Sequence, residues 1–146
     1  MAGQQLTIRG ACLCKAVQFE VTPPTKWCAH CHCTMCRRAH GAPVVTWFGA
    51  RSDSFRLIVG QERLKWYQSS AAARRGFCSQ CGSTLFFEGE RWPDEIHITR
   101  ASVADAIDRE PQAHVFYDLR VEWLELHDSL RKLGGPQGNQ PLTQPL

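Results

Sequence analysis

The chain has 146 residues, of which 43% are hydrophobic and 21% are charged, and its formal net charge is +3. This length and composition suit one globular domain that buries a core without help from disulfide bonds. The small net charge argues against the concentrated basic face of a nucleic-acid-binding protein. The sequence contains no run of about 18 apolar residues, so we expect no membrane span. We expect no signal peptide and a cytoplasmic location, where thiols stay reduced.

Short strands are predicted along most of the chain. Seven segments combine β-branched and aromatic residues with partial alternation of apolar and polar positions, which is typical of strands. In chain order they are LTIRG, AVQFEV, PVVTWFGA, SFRLIV, RLKWYQ, STLFFE and EIHIT, and glycine or proline residues punctuate the chain around them. The pattern predicts a mainly β protein.

Few segments have a helical pattern. Residues 34–39 are predicted to form a short helix, with Cys33 or Thr34 near its start and Gly41 after its end. Residues 102–107 are expected to form one or two further helical turns. The few short helices fit a fold in which strands dominate.

The longest helical pattern covers residues 118–133. Its leucines and Trp123 form an apolar stripe at helical spacing, which predicts a helix that packs on the core and ends at Gly134-Gly135. Residues 134–146 are polar, contain proline and glycine, and have no periodicity, so we expect a disordered tail. The predicted organisation is a single domain over residues 1–133 followed by this tail.

Eight cysteines in a reduced compartment need an explanation other than disulfide bonds, and metal binding is the leading one. They fall into a C-x-C pair, a dense C-x2-C-x-C-x2-C cluster and a C-x2-C pair. These are Cys12 and Cys14; Cys28, Cys31, Cys33 and Cys36; and Cys78 and Cys81. The last pair lies in FCSQCGSTL, where the glycine after the second cysteine is typical of a zinc knuckle.

A knuckle supplies two of the four ligands that a closed tetrahedral zinc site needs. Cys12 and Cys14 are the other cysteines outside the dense cluster, and both pairs adjoin predicted strands that a sheet can bring together. We therefore assign Cys12, Cys14, Cys78 and Cys81 to one structural zinc site. Four unrelated buried thiols are the alternative.

The dense cluster predicts a second zinc site. Cys31, Cys33 and Cys36 supply three thiolates from one loop and the start of the short helix, and three ligands with an open position are typical of a catalytic zinc. Cys28 is the pivotal residue, since as a fourth ligand it would close the site and as a packed thiol it would leave the site open. We favour the open site, because four sulfurs from nine consecutive residues would strain so short a segment.

Three cysteine motifs and one later segment resemble the family of glutathione-dependent formaldehyde-activating enzymes, which is grouped with centromere protein V. They are GACLCKAVQFE (10–20), CHCTMCRRAHGAP (31–43), FCSQCGSTL (77–85) and HVFYDLRVEW (114–123), and the resemblance covers about residues 5–133. It implies a β-tent of antiparallel sheets with a structural zinc on the four cysteines assigned above. It also implies a catalytic zinc on Cys31, Cys33 and Cys36.

The resemblance implies an activity as well. The reaction that names the family joins formaldehyde to glutathione to give S-(hydroxymethyl)glutathione, and it is classed with the carbon–sulfur lyases. We therefore expect a zinc-dependent carbon–sulfur lyase with two zinc ions per chain and a glutathione-type thiol as its small-molecule partner. Cys31, Cys33 and Cys36 are the expected catalytic residues, because the zinc that they hold can bind a substrate thiol at its open position. A metal-bound thiol loses its proton near neutral pH and can then attack a small carbonyl compound.

Side chains near the cluster are candidates for binding substrate and moving protons. Arg37 and Arg38 are expected to bind substrate carboxylates, with bracing of the fold as the alternative. His30, His32 and His40 are candidate proton shuttles, with surface or structural histidines as the alternative. The remaining histidines, expected to be structural, are His97, His114 and His127.

Two other functions stay open at the level of sequence. A non-catalytic zinc module for binding protein or nucleic acid would follow if Cys28 closed the second site, although the small charge and the lack of a basic arm argue against nucleic acid. An iron–sulfur electron carrier is the other, but the spacing of the dense cluster differs from that of ferredoxins. The sequence does not decide the oligomeric state.

Overall fold

The computed structural model describes residues 6–142, and residues 1–5 and 143–146 lie outside the described part. Within it the protein is mainly β with one α-helix, as the sequence predicts. The chain forms two compact units. Among the described residues, unit 1 comprises residues 6–26 and 48–109, and unit 2 comprises residues 27–47 and 110–142. The single domain over residues 1–133 stays a prediction.

The regular elements are short. The strands are β1 (Ile8–Ala11), β2 (Gln18–Val21), β3 (Trp27–Cys31), β4 (Val45–Arg51), β5 (Phe55–Val59), β6 (Leu64–Ser70), β7 (Ala73–Cys78), β8 (Thr84–Gly89), β9 (Glu95–Thr99), β10 (Ala113–Val115), β11 (Arg131–Gly134) and β12 (Gln140–Pro141). Helix α1 spans Thr34–His40, and 3-10 turns cover Ser52–Ser54, Arg100–Ser102 and Tyr117–Leu119. Among residues 6–142, no helix has the length and apolarity that crossing a bilayer requires.

Unit 1 is built from antiparallel strands around an aromatic core. β2 lies between β1 and β5, and β9, β8, β7 and β6 follow one another in a second antiparallel run. The ring of Phe86 lies edge-on to Phe19 and Phe55, with centroids 5.0 and 5.1 Å away. A Cβ atom on Gly10 would lie 2.1 Å from the Phe19 ring, so glycine lets the ring pack on the backbone.

Unit 2 combines a mixed sheet with α1. Its strands have the order β12-β11-β10-β3, in which β10 runs parallel to both β3 and β11, whereas β12 is antiparallel to β11. The register of β10 and β3 pairs His114 with His30 and Val115 with Cys31. The pairing of β10 with β3 thus ends at Cys31, and α1 begins three residues later.

The predicted short helix is confirmed as α1. Cys33 is its N-cap, and the Cys36 N–H donates a hydrogen bond to Cys33 Sγ over 3.2 Å. Gly41 follows the helix in the left-handed conformation, with φ of 59°, and its N–H donates to the Arg37 carbonyl. This end is the glycine cap that the sequence indicates.

All seven predicted strands are present, and five further strands were not predicted: β3, β7, β10, β11 and β12. These five have few β-branched or alternating residues. The sequence of β3 is WCAHC and that of β7 is ARRGFC, so their strand conformation follows from pairing with neighbours and not from local propensity.

The helix predicted over residues 118–133 is wrong. A single 3-10 turn opens this stretch, and no regular element follows until β11. The Asp118 carboxylate accepts a hydrogen bond from the Gly135 N–H, which ties the start of the stretch to residues beyond its end. Trp123 is 74% exposed, so the apolar stripe does not pack on the core.

The predicted tail contains a strand pair in its described part. β11 ends at Gly134 and pairs with β12 across a turn in which the Gly138 N–H donates to the Gly135 carbonyl. The structure thus differs from the predicted disorder over residues 134–142, whereas residues 143–146 lie outside the described part. The turns predicted for residues 102–107 are also wrong, since the nearby 3-10 turn ends at Ser102.

Candidate functional site

Four cysteines of unit 1 come together in space. The sulfur atoms of Cys12, Cys14, Cys78 and Cys81 all lie within 4.8 Å of one another. Cys14 Sγ is 3.7 Å from Cys12 Sγ and 3.8 Å from Cys78 Sγ. A tetrahedron with Zn–S bonds of about 2.3 Å has sulfur atoms roughly 3.8 Å apart, so these distances fit four ligands of one zinc ion.

Two turns deliver these sulfur atoms. In the knuckle, the Gly82 N–H donates to the Cys78 carbonyl and the Cys78 N–H donates to the Ser83 carbonyl. Gly82 has φ of 78°, a conformation that favours glycine. The Leu13 N–H donates to Ser83 Oγ over 3.0 Å, which ties the C-x-C turn to the knuckle. The site is therefore held by backbone contacts as well as by its sulfurs.

Three cysteines of unit 2 form a second cluster. The sulfurs of Cys31, Cys33 and Cys36 lie within 4.8 Å of one another, with 3.7 Å between Cys31 Sγ and Cys36 Sγ. Cys31 ends β3, Cys33 caps α1 and Cys36 lies in its first turn. The abrupt passage from strand to helix brings the three sulfurs together.

Cys28 lies outside this cluster. It precedes Cys31 by three residues on β3, and side chains at an odd separation on a strand point to opposite faces. Cys28 is 1% exposed, so its thiol is packed in the interior. The cluster therefore has three sulfurs without Cys28, and an open zinc site there stays a prediction.

The chemistry of the three sulfurs fits a metal ion. Hydrogen bonds with Cys33 and Cys36, together with burial, raise the pKa of Cys31. Three thiolates held this close would also repel one another, which favours the protonated thiol further. A cation between them removes that repulsion, and sulfur donors at this spacing suit zinc. Each cluster can thus hold a metal ion, with four ligands in unit 1 and three in unit 2.

A buried chain of hydrogen bonds adjoins the second cluster. His32 lies between Cys31 and Cys33 in the sequence, and its Nε2 is 2.8 Å from His114 Nδ1. His114 Nε2 is in turn 2.8 Å from Asp128 Oδ2. Both histidines are buried, whereas one third of the Asp128 side chain is exposed (33%). The parallel pairing of β3 with β10 places His114 where it can meet His32.

The environment of His32 disfavours its charged form. Burial, followed by the neighbouring His114 and His30 and two arginines, lowers the pKa of His32 to about 4. The His32 ring lies edge-on to Tyr117, with centroids 5.2 Å apart. His32, Tyr117 and Arg120 border a small cleft within unit 2. The apolar wall of the cleft is formed by Pro43, Val44, Val121, Leu124 and Leu126.

Residues 7–119 match the family described as glutathione-dependent formaldehyde-activating enzyme. The match spans all eight cysteines and His114, and it covers most of the chain. The protein belongs to this family. The resemblance seen in the cysteine motifs is therefore confirmed.

Similarities to individual proteins support the assignment to the formaldehyde-activating family. The chain is 28% identical over 129 residues to a Halomonas elongata protein described provisionally as a glutathione-dependent formaldehyde-activating enzyme, covering 83% of this chain and 82% of that protein. It is 33% identical over 78 residues to an uncharacterized lyase of Schizosaccharomyces pombe, covering 53% of this chain and 55% of that protein. A crystal structure of a Rhodobacter sphaeroides protein matches with a TM-score of 0.58 and 28% identity, covering 69% of this chain and 92% of that chain.

The two arginines predicted to bind substrate differ in their surroundings. Arg37 donates hydrogen bonds to the His32 carbonyl, the Thr34 hydroxyl and the Leu119 carbonyl, and so braces the strand-to-helix turn. Arg38 is exposed. Neither residue borders the cleft beside His32, and substrate binding by either stays a prediction. Arg120, which the sequence analysis did not select, does border it.

The candidate proton shuttles also separate. His32 borders the cleft, whereas His30 Nδ1 lies 2.7 Å from Thr46 Oγ1 and His40 packs edge-on against Trp47. His32 is thus the candidate shuttle that the structure connects to both the cysteine loop and the cleft.

Sequence reasoning missed the two residues that continue the hydrogen-bonded chain from His32, which are His114 and Asp128. His114 lies in the HVFYDLRVEW segment that resembles the formaldehyde-activating family, and this was a usable signal. Asp128 lies beyond the matched residues 7–119, and no spacing rule relates it to the cysteines. Only the packing of unit 2 reveals its contact with His114.

Proposed function

We propose that this member of the formaldehyde-activating family is a zinc-dependent carbon–sulfur lyase, which adds a glutathione-type thiol reversibly to formaldehyde or a similar small carbonyl compound. The observation that carries the proposal is the three-sulfur cluster of unit 2, which is one donor short of a closed tetrahedral site. Family membership and the name of the Halomonas relative support the substrate class. A cytoplasmic location belongs to the same proposal.

The two clusters have different roles in this proposal. Cys31, Cys33 and Cys36 would hold the catalytic zinc, and the four cysteines of unit 1 would hold a structural one. When bound by three thiolates, zinc supplies a Lewis acid with an open position that lowers the pKa of an incoming thiol. The four-sulfur site has no such position and would contribute to folding alone.

The side chains of unit 2 would receive the substrate. In the forward reaction the thiol sulfur bonds to the carbonyl carbon, the carbonyl π bond breaks, and the thiol proton ends on the new hydroxyl oxygen. Atoms and electrons balance without an oxidant. The Arg120 guanidinium, 4.6 Å above the Tyr117 ring at the edge of the cleft beside His32, is suited to a substrate carboxylate.

Two measurements test the proposal. Zinc per chain is determined by elemental analysis, and exchange between ¹³C-formaldehyde and S-(hydroxymethyl)glutathione is followed by NMR. We expect two zinc ions and accelerated exchange in the wild type, and both to be retained in the matched control Cys28→Ser. Cys36→Ser should bind one zinc and lose the acceleration. One zinc per wild-type chain would contradict the proposal, and two zinc ions without acceleration would contradict it in favour of the non-catalytic zinc module.

A further inference from the structure

His32 is held at four points although it lies between a strand and a helix. Its N–H donates to the Val115 carbonyl over 3.0 Å, and its carbonyl accepts from Arg37 Nε over 3.3 Å. Its Nε2 meets His114, and its ring packs against Tyr117. Ordering one residue so completely costs conformational entropy of the backbone. The contacts that offset this cost fix the conformation of a single residue between two cysteines.

With a neutral His114, the hydrogen bonds from His32 through His114 to Asp128 all run in the same direction. The Asp128 carboxylate only accepts, and it takes hydrogen bonds from the Leu130 N–H and from His114 Nε2. A neutral His114 has one ring proton, so with Nε2 as donor its Nδ1 must accept from the Nε2–H of His32. The carboxylate thereby determines how both rings are oriented.

The position of His32 in the chain connects the orientation of its ring to the three-sulfur cluster of unit 2. His32 connects Cys31 to Cys33, so a rotation of its backbone moves both sulfurs. His114 is held on β10 by parallel pairing with β3, and it therefore presents a fixed partner to the loop. Asp128 reaches the same ring from an irregular segment fourteen residues later, where its own hydrogen bond from Leu130 holds it.

We propose that His114 and Asp128 are positioning residues for the metal site of unit 2: through His32 they hold Cys31 and Cys33 where the three sulfurs bind one metal ion. The inference rests on the proposed function, because it takes the cluster to be a metal site. Hydrogen-bonded groups behind metal ligands typically contribute 10–100-fold to metal affinity. We expect an effect of that size here.

The test uses the full chain, in which the unit 1 site serves as an internal reference. Zinc affinity at each site is measured by chelator competition in His114→Ala, Asp128→Ala and Asp128→Asn. We expect binding at the unit 2 site to weaken about 10–100-fold in both alanine variants while the unit 1 site is unchanged. Asp128→Asn should restore most of the affinity, since its amide oxygen still accepts from His114. His127→Ala, whose side chain is 85% exposed, is the matched control and should behave as wild type.

A spectroscopic measurement separates positioning from simple packing. The ¹⁵N resonances of the His32 ring should show a proton on Nε2 in the wild type and in Asp128→Asn, and mixed tautomers in Asp128→Ala. A packing role for the partly exposed Asp128 would leave the His32 tautomer unchanged. If His114→Ala fails to fold, it loses zinc from both sites, and the two Asp128 variants decide.

The two ways in which this test can fail are distinguishable. A wild-type chain that binds one zinc ion overturns the proposed function, and this inference with it. A wild-type chain that binds two, with unchanged unit 2 affinity in Asp128→Ala and in any folded His114→Ala, overturns the positioning role alone.

Discussion

Replacing Cys28 and Cys31 one at a time separates packing from metal binding, because the two thiols lie on one strand with opposite orientations. Cys31→Ala removes one of three clustered sulfurs, and we expect zinc to fall from two ions per chain to one. Cys28→Ala removes a buried sulfur outside the cluster and should leave both ions bound.

The cost of Cys28→Ala follows from its burial. The residue is 1% exposed, and its sulfur is comparable in size to a methylene group, whose transfer from water contributes about 0.8 kcal/mol. With a small cavity term, the free energy of unfolding should fall by about 1–1.5 kcal/mol. Urea unfolding at a fixed excess of zinc measures this change, and elemental analysis after dialysis measures the bound zinc.

The opposite pattern would refute the reasoning. If Cys28→Ala lost a zinc ion, Cys28 would be a ligand and the unit 2 site would be closed. If Cys31→Ala kept two ions, the three-sulfur cluster would not be the second site. Either result would remove the structural basis for an open coordination position.

Three further predictions concern packing and charge. Phe86→Ala should lower the free energy of unfolding by about 3–5 kcal/mol in urea titrations, because Phe86 is fully buried among aromatic rings, whereas exposed Tyr67→Ala should stay within about 0.5 kcal/mol. Arg37→Ala should destabilise the chain by about 1–3 kcal/mol through three lost hydrogen bonds, and Arg38→Ala should not; a raised KM for the thiol in Arg38→Ala alone would support its predicted substrate role. A hydrogen bond from Arg56 on β5 lowers the pKa of Glu20. The contribution of Glu20 to stability is therefore present above the ordinary pKa of glutamate and is lost as the pH falls through the lowered pKa. Glu20→Gln should therefore be less stable than wild type in urea unfolding at pH 7, with the difference shrinking as the pH falls below the ordinary pKa of glutamate, and a difference that stays constant on acidification would contradict the assignment.

Local signals in the sequence were sufficient for much of the fold. Alternation in segments such as EIHIT predicts strands because successive side chains on a strand face opposite sides. The helix at residues 34–40 was predictable because its cap and its terminal glycine, Cys33 and Gly41, satisfy backbone groups within the same segment. The helix over residues 118–133 was wrong because leucine spacing does not show whether a partner surface exists, and Asp118 found a hydrogen bond outside the helix.

By itself, the sequence determined which cysteines form local pairs and what chemistry they suit, since C-x-C and C-x2-C spacings place sulfurs at ligand distance within single turns. Only the tertiary structure decided that Cys28 faces away from the cluster, because that depends on the residues around it forming a strand. The same holds for the hydrogen bond between His32 and His114, which are 82 residues apart and meet through the parallel pairing of two strands. Contacts at such separation have no local pattern in the chain, because they are specified by how the strands pack together.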